Sequence, residues 1–218
     1  MVATIRIWLA VLAATGLPCS PASAAPGPGG NTPSVPGFPS NQVVHLQIEV
    51  SEAAADSLRR APRSHVRATV REGSNVFDNV ALRLKGRTGS FRAFDDKPSF
   101  TLDAGRFVPG RTFGGTGRLH LNNSVEDPSF LHDWLGSDVF RAAGIPTPLV
   151  THARVELNGR ALGLYVLKEG FDPEFLVRCF GSADGNLYEP EPGPGADIAR
   201  DSAGLDRARN AVSFWDGV

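Results

Sequence analysis

Val150-Thr151-His152-Ala153-Arg154-Val155-Glu156-Leu157-Asn158-Gly159-Arg160-Ala161-Leu162-Gly163-Leu164-Tyr165-Val166-Leu167 contains two strand patterns joined by Asn-Gly. The pair Asn158-Gly159 is the strongest short hairpin signal in the chain, because a tight hairpin turn needs φ > 0 at both central residues. Strands are therefore predicted over 150–157 and 162–167. Working back from that hairpin, Gly144 and Pro146 mark the end of a helix predicted over Asp127–Ala143. Asp127 is placed at its N-cap and Pro128 at its first helical position. Leu131, Trp134, Leu135, Val139 and Phe140 fall at helical spacing, so this stripe is expected to pack on the sheet.

Further towards the N-terminus the pattern is extended. Strands are read at Val43–Val50, His65–Arg71, Val76–Lys85, Ser99–Leu102 and Arg118–Leu121. Gly73-Ser74-Asn75 turns the second of these into the third. Ser51 caps a short helix that ends before Pro62. Beyond the hairpin, Asp172–Phe180 reads as a helix with Pro173 at its start. Asn186-Leu187-Tyr188 is short and extended. A Pro/Gly-rich stretch and a weak helical pattern to Asn210 then follow. Strands dominate, one long helix sits among them and no repeat is visible, which defines an α+β arrangement.

The first residues read as an export signal. Arg6 precedes an apolar run from Ile7 to Leu17, and Ala22-Ser23-Ala24 is a small-residue cleavage pattern. The run is shorter than the roughly 20 apolar residues that span a bilayer, so no transmembrane segment is expected after cleavage. Residues 1–24 are thus expected to be removed, with 25–42 a Pro/Gly-rich linker. The full chain carries 22 Lys+Arg and 23 Asp+Glu. Losing Arg6 leaves the remainder at −2. Such a balance argues against a nucleic-acid partner, which would demand a basic stripe. Of the two cysteines, Cys19 leaves with the signal and Cys179 remains, so no intramolecular disulfide is available even in an oxidising compartment. Histidines at 45, 65, 120, 132 and 152 show no metal-ligand spacing, and no Ser-His-Asp arrangement is visible.

One ordered set of segments is more specific than any single motif. It runs Val80-Ala81-Leu82-Arg83-Leu84-Lys85-Gly86, Ser90, Lys97-Pro98-Ser99-Phe100, Leu119-His120-Leu121-Asn122-Asn123 and Asp127-Pro128-Ser129-Phe130. It continues through Gly144-Ile145-Pro146-Thr147-Pro148, Leu157-Asn158-Gly159, Gly163-Leu164-Tyr165-Val166-Leu167-Lys168-Glu169 and Gly185-Asn186-Leu187-Tyr188. The series resembles the CotH family of secreted, atypical protein-kinase-like proteins, first known from spore coats, over roughly residues 43–190. The resemblance implies a kinase-like N-terminal lobe, with a mixed, largely antiparallel sheet and one long helix, and the start of a C-terminal lobe entered after Gly170 and Asp172; the kinase-like domain is expected over 43–190, with 191–218 a truncated C-terminal segment. It also implies ATP with Mg or Mn, and phosphorylation of serine in extracellular or coat proteins.

Phosphoryl transfer sets its own demands: cations on the phosphates, carboxylates for the metal, and a group that orients the acceptor. Lys85 and Lys97 are the cation candidates, although residue type alone reads both more readily as solvated strand-edge charges, and only the resemblance brings the two readings level. Arg87 and Ser90 lie in a polar loop between Gly86 and Gly89 that could bring backbone amides to an anion. Glu169 ends the strand whose continuation, in a kinase-like fold, lies beside the adenine. Asp133 and Asp138 are on the long helix, which in such a fold offers an acid to the lysine, but spacing singles out neither. In the family the catalytic and metal-binding aspartates lie beyond the Asn-Leu-Tyr segment. The sequence stops at Val218, so the expectation is a truncated, inactive kinase-like chain with no identifiable catalytic or metal residue. The alternative is a non-catalytic surface or spore-coat binding protein. Either would be secreted or held at the cell envelope.

Overall fold

Alternation of apolar and polar residues closes the structure. In the computed structural model, described over residues 42–87 and 89–184, strand β1 (Val44–Val50) buries every second residue, namely Val44, Leu46, Ile48 and Val50. The backbone is also described at 187–190, 198–200 and 212–213. After β1 come α1 (Glu52–Arg60), β2 (Val66–Glu72), β3 (Asn75–Lys85), β4 (Ser99–Asp103) and β5 (Arg118–Asn122). Then follow α2 (His132–Ala142), β6 (Val150–Leu157), β7 (Arg160–Glu169) and α3 (Pro173–Phe180). The first seven strands form a closed barrel in the order β1-β2-β3-β4-β5-β7-β6. Every neighbouring pair is antiparallel except β1 with β6, whose parallel pairing (Leu46 with Val155, Ile48 with Leu157) closes the ring.

Closure removes the free edges that an open sheet would present. The interior is filled by side chains, among them Leu82, Leu84, Phe100, Leu102, Leu121, Tyr165 and Leu167, all fully buried or nearly so. Burying each contributes about 1.5–3 kcal/mol. The barrel is thus a packed core. The mixed, largely antiparallel sheet agrees with the sequence reading, whereas its closure depends on β1 meeting β6 across more than a hundred residues.

Local signals act as their chemistry requires. Ser51 caps α1 by accepting from the Ala54 amide at 3.2 Å. Asn158 and Gly159 both take positive φ, 48° and 78°, at the β6–β7 turn. Asn158 also brackets Val50, accepting from its amide at 2.8 Å and donating to its carbonyl at 3.0 Å. The turn therefore fastens β1 as well as joining its own strands.

Two expectations about the long helix are corrected. The long helix begins at His132 instead of Asp127. Phe130 has φ of 59°, a left-handed conformation that interrupts a helix. The Asp127 carboxylate instead accepts from the amides of Ser129 (3.1 Å) and His132 (2.9 Å), folding 127–131 into a turn. Nor does the apolar stripe pack on the sheet: Leu135, Val139 and Phe140 are 47%, 67% and 46% exposed, and Trp134 is half-buried. The buried α2 residue is Ser137, whose hydroxyl donates to the Pro148 carbonyl at 2.8 Å. The helix turns polar groups inward because it lies over polar residues on the outside of the barrel.

A second, three-stranded sheet in the order β10-β8-β9 comprises β8 (Leu187–Pro190), β9 (Ile198–Arg200) and β10 (Val212–Ser213). Residues 198–200 were expected in a weak helical pattern; antiparallel pairing of Tyr188 with Arg200 makes them extended instead. The expected export signal and linker at 1–41, together with Gly185, Asn186 and Asp216, lie outside the described residues. No helix among the described residues is long and apolar enough to cross a membrane.

Candidate functional site: the polar face under helix α2

The same alternation that points Leu82, Leu84, Leu102, Leu119, Leu121 and Leu167 inward sends their neighbours to the outside. Register then sets those neighbours side by side. Arg83 pairs with Thr101, Thr101 with His120 and His120 with Lys168, giving one row across β3, β4, β5 and β7. Lys85 opposes Ser99 in the next row. This outer face is unusually sheltered for one so polar: Thr101, Ser99 and His120 are all buried.

His120 is the centre of the row. Its Nδ1 lies 3.2 Å from the Thr101 hydroxyl, and the ring is only 7% exposed. Burial, and then the charges of Lys85, Arg118, Lys168 and Arg83, hold its pKa well below the ordinary histidine value. Four cations thus act on one neutral ring. From above, α2 supplies an acid. Asp133 accepts from the Asn122 side-chain amide at 2.9 Å, and its other oxygen lies 3.8 Å from Lys168 Nζ. Of the two helix acids that spacing left equal, Asp133 faces the sheet, whereas Asp138 pairs with Arg141 on its own helix.

The residues singled out from sequence divide into three groups. Lys85 joins the cations around His120. Arg87, Ser90 and Lys97 belong to the connection between β3 and β4. There the Ser90 hydroxyl accepts from the Arg87 amide at 3.0 Å, and the Ser90 amide donates to the Arg87 carbonyl at 3.1 Å. Gly86 is required in this turn: it has φ of 116°, and a Cβ there would lie 2.9 Å from the Phe91 backbone. Lys97 rests its ammonium 5.0 Å from the ring centres of both Phe130 and Tyr165, an arrangement favourable to a cation. Partial burial lowers its pKa. Glu169 stands apart. It is fully buried, accepts from the Leu149 amide at 2.9 Å and forms an ion pair with Arg178. Its carboxylate fastens α3 and the β6 entrance to the barrel end.

Sequence reasoning missed Arg83, Thr101, His120, Asn122, Asn123 and Lys168 as site residues. Alternation against leucines could have placed most of them on one face. Their order across the face could not be read, because β5 pairs with β7 past an intervening helix and strand. Cys179 packs on the small Phe171–Phe175–Leu176 cluster, and burial raises its pKa, as suits an unreactive thiol.

The fold and face together define a mixed α+β protein with a closed barrel and a cation-rich outer surface, headed by a helix acid. The sequence matches the profile of the family described as CotH kinase protein over residues 82–216, more than half its length, and the chain belongs to that family. Strands β1 and β2, and most of β3, precede the matched residues yet are part of the same barrel. The chain is also 33% identical over 82 residues to the inner spore coat protein H of Bacillus subtilis strain 168. That match covers 38% of this chain and 22% of the relative, so the chain spans only a minor part of the relative's length.

Proposed function

We propose that the outer face around His120 binds the phosphates of ATP, and that the barrel with α2 acts as the nucleotide-holding lobe of a kinase-like protein. The observation that carries this reading is the convergence of Arg83, Lys85, Arg118 and Lys168 on one sheltered patch, with Lys168 close to the helix acid Asp133. A strand lysine steadied by a helix acid is what kinase-type phosphate binding uses. In a partly desolvated site such cations act more strongly on a polyanion than they would in water. Arg87, Ser90 and Lys97 lie on the connection leading from Lys85, and the proposal includes them as an extension of the patch. Glu169 enters as the anchor of the segment leading to α3.

The cations fit a triphosphate. A divalent metal fits less well: among the described residues no three His, Cys, Asp or Glu side chains are grouped so as to hold one. In the whole protein the proposed reaction is transfer to a serine of a coat or extracellular protein. The serine oxygen bonds to the γ-phosphorus, the bond to the β–γ bridging oxygen breaks, ADP leaves and the hydroxyl proton passes to a base. Export to the cell envelope or medium belongs to the same proposal, as does the coat location suggested by the relative's name.

Calorimetric titration with ATP tests this reading. The wild-type protein should bind, and Lys85→Ala or Lys168→Ala should each weaken binding by at least about tenfold, the loss expected for one charged hydrogen bond. Wild-type affinity in both variants would remove the face from consideration. A second reading, a coat-binding protein that transfers nothing, is favoured by the outward apolar side of α2. It predicts no heat with ATP at all.

A further inference from the structure

We infer that Asn123 is a positioning residue that fixes the segment from Ser90 to Lys97 against the end of β5, next to the phosphate-binding face; the inference rests on the nucleotide reading above. Asn123 follows the last residue of β5 and is 3% exposed. Its side-chain amide donates to two carbonyls of that segment, Ser90 at 3.2 Å and Lys97 at 2.8 Å. Its backbone amide donates to the Ser99 hydroxyl at 2.9 Å. One buried residue therefore ties together both ends of the segment, through its side chain, and the start of β4, through its backbone amide.

The segment's carbonyls have further holders. Arg160 donates to Phe94, Asp95 and Asp96, and the Tyr165 hydroxyl donates to Pro98 at 2.9 Å. These lie between or beyond the two points that Asn123 grips, so they do not replace it at Ser90. The neighbouring residue adds the connection to the helix, since Asn122 donates to Asp133. Two consecutive asparagines thus divide the work: Asn122 sets the acid that faces Lys168, and Asn123 sets the loop that carries Ser90 and Lys97. The amide suits this place because both acceptors on the segment are carbonyls and its NH2 carries two donors, whereas an ionised aspartate has no proton to give them.

The test uses Asn123→Asp, which keeps size and removes both donors. ATP affinity is measured by calorimetry, and amide hydrogen exchange is followed at Ser90, Phe91 and Asp96, whose amides donate within the loop. The expected result is a loss of affinity of at least about tenfold together with exchange at those amides faster by at least about tenfold, the size of one lost buried hydrogen bond. Val155→Ala, a barrel substitution on β6, controls for general loosening and should leave loop exchange and affinity near wild type. If Asn123→Asp does not fold, Asn123→Ser, which retains a single short donor, takes its place with the same expectation. Unchanged loop exchange overturns the inference, as does unchanged affinity when wild type binds. If wild type binds no ATP, the nucleotide reading fails by itself. Loop exchange then decides the positioning role: faster exchange upholds it and wild-type exchange overturns it.

Discussion

Single residues on this barrel combine burial with charge. Asp172 caps α3, accepting from the Phe175 amide at 2.9 Å and the Arg118 amide at 2.8 Å. Burial pushes its pKa up to about 6, with Glu174 and Glu169 adding repulsion against those two hydrogen bonds. A carboxyl with a raised folded pKa binds more protons folded than unfolded between about pH 4 and 6. Its contribution to stability is full below that window, falls as pH rises through it and stays low above. The lowered pKa values of His120 and His65 tilt the whole curve the other way, so the contribution is read as a difference: in chemical denaturation from pH 4 to 7, the stability of wild type relative to Asp172→Ala should fall as pH rises. A wild-type slope retained in the variant would place the titrating group elsewhere. Glycine matters at the same corner: a Cβ on Gly170 would lie 2.8 Å from the Arg118 side chain, so β5 and the exit of β7 can approach only because it is absent.

The elements separate what sequence shows from what it hides. All seven barrel strands and three helices were legible, because period-two alternation, Ser51, Asn158-Gly159 and Asp172-Pro173 are local signals. The orientation of α2 was not legible. Its apolar stripe has helical spacing, and spacing cannot tell whether the surface beneath is apolar; here that surface is Asn122 and Lys168, so Asp133 and Ser137 turn inward. Phe130 was equally opaque, since nothing in its identity announces a positive φ. It gives its carbonyl to His152 Nε2 at 2.7 Å and its ring to Lys97. Leu135→Ala should therefore change stability by less than about 0.5 kcal/mol, as at other surface positions. Leu84→Ala, fully buried in the barrel, should cost about 2–5 kcal/mol. Paired urea unfolding curves decide it, and a large loss at Leu135 would mean that the stripe is covered.

At the scale of the whole molecule, inner and outer faces have different tasks. The inside of the barrel supplies stability through leucines, and the same strands, read one residue out of step, supply a sheltered cationic surface. Site residues were half legible for this reason: Lys85 was found through its place beside Leu84, while His120 and Lys168 needed the β5–β7 register. The most direct test of the account is an NMR titration of the His120 ring with and without ATP. Burial, and then four cations, hold that ring's pKa well below the ordinary histidine value. A triphosphate bound over them offsets their charge, so the His120 pKa should rise when ATP is added. An unchanged His120 titration at saturating ATP would contradict the claim that this face is where the nucleotide binds.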